Sequence, residues 1–210
     1  MGLISAGTTI FDAGVVNAGG AMTFIKKITA SSSSTISFVH GSSSVVFDGT
    51  YKEYLFTFNN LHPGANACDF LFNMSVDSGS NYNVAKTTTY IQANHNEANT
   101  SAALNFRTGN VNALHNETGF QSLSTADGIG NDNDQCLSGT LTIFNPASTT
   151  FVKHFMANCN HYSNDNQSIQ NLVAGYCNTT SAINAIQFKM NNGGSDQNTD
   201  SGDICLYGIS

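Results

Sequence analysis

Charge is what this sequence has least of. Only 10% of its 210 residues are charged, against roughly 25% in ordinary globular proteins. Glu occurs three times, Arg once and Lys six times, so the usual surface residues of helices are missing and a mostly helical fold is discounted. Basic residues never gather beyond the pair Lys26-Lys27, and the formal net charge is −7. Nucleic-acid phosphates and anionic lipid surfaces both need grouped cations. Neither is an expected partner. No apolar run reaches the roughly 18 residues of a membrane-spanning helix, so membrane insertion is not expected. The opening Met1-Gly2-Leu3-Ile4-Ser5-Ala6 has neither a basic stretch nor a compact apolar core, which makes a secretory leader a poor reading. Ala6 also departs from the myristoylation pattern.

Cysteine is scarce in a different way. Cys68, Cys136, Cys159, Cys177 and Cys205 are an odd number with no C-x-x-C pair, whereas a disulfide framework wants an even count in a smaller chain. Buried free thiols in strand-like runs are expected, in a chain made in a reducing cytoplasm.

What fills the sequence instead is neutral polarity. Asn, Ser, Thr and Gln supply 78 positions, and their side chains favour turns and strands over helix interiors. Disorder does not follow, because 14 Phe and 7 Tyr lie in evenly spread hydrophobic runs that disordered segments lack. Tyr54, Phe56 and Phe58 fall on one face of a period-2 pattern, as do Phe70, Phe72, Met74 and Val76, with Asp69, Asn73 and Ser75 opposite. Such alternation means a sheet with one face in a core.

Turn chemistry divides the rest. Residues 23–29 and 35–39 flank a Ser-rich turn, and Asp48-Gly49 signals a hairpin between 44–47 and 51–58. Pro63 separates the next two strands. Further strands are expected over 84–93, 120–124, 136–145, 151–160, 171–177, 183–190 and 203–209, with a surface loop over 191–202. Residues 94–119 are least regular, and a short helix is expected over 98–106. About a dozen short strands without βαβ alternation predict an all-β antiparallel two-sheet sandwich, jelly-roll-like. The Gly/Ala-rich residues 1–22 read as an extended N-terminal arm or anchor before a single domain over 23–210.

No strong catalytic pattern is present. The repeat His95-Asn96-Glu97 and His115-Asn116-Glu117 offers two His and two Glu to a divalent metal, if all four share one small volume. The blander reading is two solvated loops, and it is preferred. His154 and His161 flank Cys159, and a nucleophilic thiol needs a base in reach; alternation instead puts Cys159 beside Phe155 and Ala157 in the core. Glycoside hydrolysis needs two carboxylates about 5–10 Å apart, to be drawn from Glu53, Glu97, Glu117 and the aspartates. Asp127, Asp132 and Asp134 sit in a loop that only loosely resembles a calcium site, lacking the required Gly and distal Glu. The expectation is no enzyme, no catalytic residue, no cofactor and no metal.

Several runs carry a resemblance. Tyr51-Lys52-Glu53-Tyr54, then Phe58-Asn59-Asn60-Leu61-His62-Pro63, then Ser75-Val76-Asp77-Ser78-Gly79-Ser80-Asn81-Tyr82 resemble a segment of virion proteins of tailed bacteriophages. There Y-x-x-Y opens a strand, an x-P-x turn follows, and S-x-D-x-G-x-x-Y closes the next strand. Ser138-Gly139-Thr140-Leu141-Thr142-Ile143-Phe144-Asn145-Pro146 and Gly202-Asp203-Ile204-Cys205-Leu206-Tyr207-Gly208-Ile209 look like later elements of that pattern. The opening twelve residues and Phe24-Ile25-Lys26-Lys27 are similar to those of small structural proteins of marine-bacterial phages. The resemblance brings no catalytic residues, and Asp77, Gly79 and Tyr82 match its turn as fold residues. It implies a non-enzymatic component of the virion exterior, assembled in the host cytoplasm: a tail or fibre part, or alternatively a capsid decoration protein. Other virion proteins would be partners, with a homo-oligomer, a trimer first, and a host-surface glycan as a further partner. A glycan depolymerase and a carbohydrate-binding module are the lesser alternatives.

Overall fold

The computed structural model describes residues 21–109, 111–125 and 127–210 and, before them, the backbone of three short strands. These are β1 (Leu3–Ser5), β2 (Thr8–Asp12) and β3 (Val15–Val16), which pair with one another in that order. Otherwise the arm expected over residues 1–22 lies outside the described residues up to residue 20. The body opens with β4 (Met22–Thr29). It continues through β5 (Ile36–Val39), β6 (Glu53–Pro63), β7 (Asp69–Ser75), β8 (Lys86–Asn96), β9 (Ala102–Phe106), β10 (His115–Glu117) and β11 (Gln121–Ser122). Then follow β12 (Leu137–Phe144), β13 (Lys153–Tyr162), β14 (Gln167–Cys177), β15 (Ala185–Asn192), β16 (Ser195–Gln197) and β17 (Thr199–Ile209).

The chain is all-β, with no helix among the described residues, and forms an antiparallel two-sheet sandwich. The large sheet has the order β10-β8-β14-β13-β12-β6-β17-β4, with β9 also paired to β8. The small sheet runs β11-β7-β15-β16, with β5 also paired to β15. From β4 to β8 successive strands alternate between the two sheets, while β12, β13 and β14 form a meander within the large one.

The core sits where the alternating faces meet. Tyr54, Phe56 and Phe58 of β6 are buried as their period-2 spacing predicts. Asn60 (φ 51°) swells the strand, and Leu61 and Pro63 then return to the buried side. Opposite it lies Gly202 (φ 107°), where a Cβ would come within 2.5 Å of the Asn60 carbonyl oxygen; only glycine fits so close an approach. Phe188 of β15 is the aromatic hub: it stacks on Phe70 at 5.6 Å and meets Phe56 and Phe58 edge-on at 5.3 and 5.4 Å.

Four expectations are corrected. Residues 98–106 contain no helix, because Asn96 Oδ1 accepts the backbone N–H groups of Thr100 and Ser101, closing a turn that folds β9 back on β8. Asp48-Gly49 makes no hairpin: Asp48 Oδ1 does cap the Thr50 N–H, but Val45 and Phe47 plug the core, and β6 pairs with β12 and β17. The loop expected over 191–202 is mostly strand. Gly193 (φ 57°) and Gly194 (φ 94°) turn β15 into β16, and β17 starts at Thr199. Finally, β7 is buried on both faces, since the segments around Tyr82 and Gly119 cover the side that carries Asn73. Among the thiols, Cys68, Cys159, Cys177 and Cys205 are buried as expected. Cys136 is only half-buried, and all five are free.

Candidate functional site

Five adjacent strands of the large sheet, β12-β13-β14-β8-β9, present one outward face. Strict alternation builds it. On β13, Phe155, Ala157, Cys159 and His161 point inward, while His154, Met156, Asn158 and Asn160 point out. Register then aligns the outward residues in rows: Thr140, Asn158, Leu172, Ile91 and Phe106 are successive cross-strand neighbours, and Thr142, Met156, Ala174 and Thr89 form the next row. Phe106 is 62% exposed, Met156 59% and Leu104 75%. None of the outward side chains on these five strands carries a formal charge. Charge on this side of the sheet lies at its borders: Glu97 follows the end of β8, exposed Glu117 is on the edge strand β10, and beyond β12 Glu53 opens β6 and Lys27 of β4 pairs with Asp203 of β17 at 3.2 Å.

At one end of the face is a polar cleft of about 330 Å³ lined by His95, Glu97, Asn160, His161, Tyr162 and Ser168. The Tyr162 hydroxyl lies 3.0 Å from Glu97 Oε1 and 3.2 Å from Asn166 Oδ1. Its hydrogen bond to the carboxylate raises the phenol pKa. Asn160 Nδ2 donates to Ser168 Oγ at 3.1 Å. Such a set can hydrogen-bond a neutral polar ligand.

The inner face behind β8 is polar too. The Tyr90 hydroxyl donates to Asn171 Oδ1 at 2.7 Å, and Asn171 Nδ2 lies 3.0 Å from His161 Nδ1. Gln92 reaches the Thr125 carbonyl at 2.7 Å, and Thr88 donates to Gln121 Oε1 at 2.7 Å. Lys86, Cys177 and Lys153 stand side by side on β8, β14 and β13, all fully buried. Burial lowers the Lys86 amine to about 8 and also lowers Lys153, while it raises Cys177 to about 11. Asp69 is held up to about 7 by burial, which the nearby Arg107 opposes. No spacing rule marked this interior, because its partners meet across different strands and, for Thr88 and Gln92, come from the irregular stretch between β9 and β12.

The residues singled out from sequence fall apart in space. His95 and Glu97 lie at one end of β8, whereas His115 and Glu117 of β10 pair with Thr87 and Lys86 at the other. Roughly eight residues of strand, or about 25 Å, separate them. One ion cannot bridge that distance. Cys159 and His161 do share the inner face of β13, but burial raises the Cys159 thiol to about 12, far from a nucleophile's range; His154 points out. Asp132 and Asp134 are exposed, and Asp127 Oδ2 accepts from Gln167 Nε2 at 3.3 Å instead of joining them. No group of three or more metal-ligating side chains gathers among the described residues. Glu53 lies four strands from β8, about 19 Å at ordinary strand spacing, too far from Glu97 or Glu117 for paired glycosidase chemistry.

The chain matches no protein-family model, no curated protein and no solved structure.

Proposed function

We propose that this protein is a non-enzymatic structural component of a tailed-phage virion, displayed on the particle exterior as a tail or fibre part. It is assembled in the host cytoplasm and works as a homo-oligomer among other virion proteins. The observation that carries this reading is the uncharged, partly apolar outer face of β12-β13-β14-β8-β9. A broad face of that kind left in water marks a protein-contact surface, and a rigid sandwich is a suitable carrier for one. The resemblance of the Tyr51–Tyr54 and Ser75–Tyr82 runs to segments of phage particle proteins supplies the context. The turn from Ser75 to Asn81 is knitted by Asp77, whose carboxylate accepts from Ser75 Oγ at 2.6 Å and from the Asn81 backbone at 2.9 Å.

Mass spectrometry of purified particles that encode the chain tests the reading. Copy numbers in multiples of three or six support a tail or fibre position. Tens to hundreds of copies at capsid positions support head decoration instead, and absence from particles overturns both. The cleft at His95 and Tyr162 gives the glycan-binding alternative a place to act, so a glycan array belongs beside that measurement. Polysaccharide cleavage lost on Glu97→Gln or Glu117→Gln would replace the structural reading with an enzymatic one.

A further inference from the structure

We infer that two copies of this chain pack face to face through β12-β13-β14-β8-β9 about a two-fold axis that passes near Leu172. The inference deepens the assembly reading by naming the partner of that face, and it specifies a pair where the phage resemblance implies a trimer.

Size comes first. Five strands at ~4.8 Å spacing, about nine residues long at ~3.3 Å each, cover roughly 24 Å by 30 Å, or about 700 Å². A stable interface buries about 600–1,000 Å² per partner. The face is thus large enough for a pair without help from another surface.

Charge selects the partner. Each chain carries a net charge of −7, so two copies repel wherever their charged surfaces meet. Within the five strands there is nothing to repel, since Glu97 stands only at the end of the face, and equally little with which a charged partner of another kind would pair. Met156, Leu172, Ile91 and Phe106 provide the apolar area, and Thr and Asn fill between them. Sheets meeting face to face interdigitate through such rows.

Symmetry places the axis. β14 is the middle strand of the five, and Leu172 is the middle residue of β14 (Gln167–Cys177). In a two-fold interface the central residue meets its own copy, while residues away from the axis meet different ones. Leu172 is 44% exposed and its neighbour across β8, Ile91, is 43% exposed, so substitution there leaves the folded core intact.

The test is sedimentation velocity on the full chain, with circular dichroism as the check on folding. The wild type is expected at twice the 22.2 kDa mass of one chain. Leu172→Lys and Leu172→Asp should each be folded monomers, with pairing weakened at least ~100-fold by like charges meeting on the axis. Mixing the two should restore the pair, because a lysine then faces an aspartate. A monomeric wild type at ~100 μM overturns the inference. An oligomer that both substitutions leave intact overturns it too, by showing that another face is used, and the virion-assembly reading then survives. Monomeric variants that do not re-pair on mixing remove the two-fold axis at Leu172.

Discussion

The Lys86 ammonium lies 2.5 Å from Oδ1 of Asn73, and both side chains are completely shut off from solvent. The amine also donates to the Val84 carbonyl at 2.8 Å. A buried cation on β8 is thus held by an amide of β7, a strand of the other sheet. Asn73 is itself clamped: its Nδ2 donates to the Tyr82 and Thr118 carbonyls at 2.7 and 2.9 Å, and the Met74 N–H donates to its Oδ1. The two members of the pair should therefore respond unequally to loss. Lys86→Met removes a buried charge and leaves Asn73 with its other partners, so stability should change little or rise. Asn73→Ala strips the lysine of an acceptor and leaves buried carbonyls unpaired, which should cost on the order of 3–5 kcal/mol. Denaturant midpoints for the two variants check the asymmetry.

The same lysine gives stability a pH dependence. Burial lowers its pKa in the folded protein to about 8, from an ordinary 10.5. Between those values the unfolded chain binds the proton more readily than the folded one, so stability rises as pH increases from about 8 toward 10.5. Below about 7 both forms are protonated and the full penalty remains. The trend is opposed by the thiols of Cys68, Cys159 and Cys177, which burial raises from 9 to about 11, 12 and 11, so that the unfolded chain loses these protons first, and together they offset the lysine by about pH 8.5. Unfolding midpoints should therefore climb from about pH 7 to 8.5 and fall beyond it. In Lys86→Met the climb should flatten, with a remainder from Lys153, whose pKa burial also lowers.

Thiol reactivity separates the cysteines. Cys136 is half-buried just before β12, whereas the other four are buried. Only the thiolate reacts with maleimides or disulfide reagents, and burial pushes the Cys68, Cys159 and Cys177 thiols up to about 11, 12 and 11. At pH 8 the folded protein should therefore label at Cys136 alone over minutes, and at all five positions in denaturant. Loss of the fast phase in Cys136→Ser checks the assignment.

The aromatic centre is the most sensitive part of the core. Phe188 is fully buried among Phe38, Phe56, Phe58, Phe70 and Phe72. Phe188→Ala should cost about 3–5 kcal/mol, lowering the melting temperature by roughly 10 °C in a domain of this size. Calorimetry checks it.

Sandwich class and core faces were legible in the sequence wherever one side of a strand meets water. On β6 and β13 the alternation of Phe, Tyr and Ala with polar residues read directly as inside and outside. It failed on β7, where Asn73 looked solvent-facing because nothing local shows that the segments around Tyr82 and Gly119 cover it. The Asp48-Gly49 turn chemistry was right and the hairpin wrong, since β6 pairs with strands more than seventy residues away. A short helix was expected over 98–106, but the Asn96 side chain decides for a turn and a strand pair. The scarcity of charge was visible from composition. Its concentration into one uncharged face of five strands depends on register, which no local pattern supplies.

The Ser75–Tyr82 turn offers a test of fold against binding roles. Gly79 has φ 83°, and a Cβ there would lie 2.7 Å from the Tyr82 hydroxyl. Its N–H donates to Ser75 Oγ at 3.0 Å, and Asp77 accepts from the Asn81 side chain at 2.7 Å. The hydrogen bond from the Ser75 hydroxyl, with those from the Asn81 side chain and backbone, lowers the Asp77 pKa from 3.8 to about 2. The carboxylate therefore contributes its stability above about pH 4, and that contribution is lost as pH falls toward 2. Gly79→Ala must place a side chain in the left-handed region as well as displace Tyr82. Both Gly79→Ala and Asp77→Ala should lower the melting temperature at pH 7, and Asp77→Ala should lose its disadvantage near pH 2. If the turn served a ligand and not the fold, the two variants would melt with the wild type at pH 7.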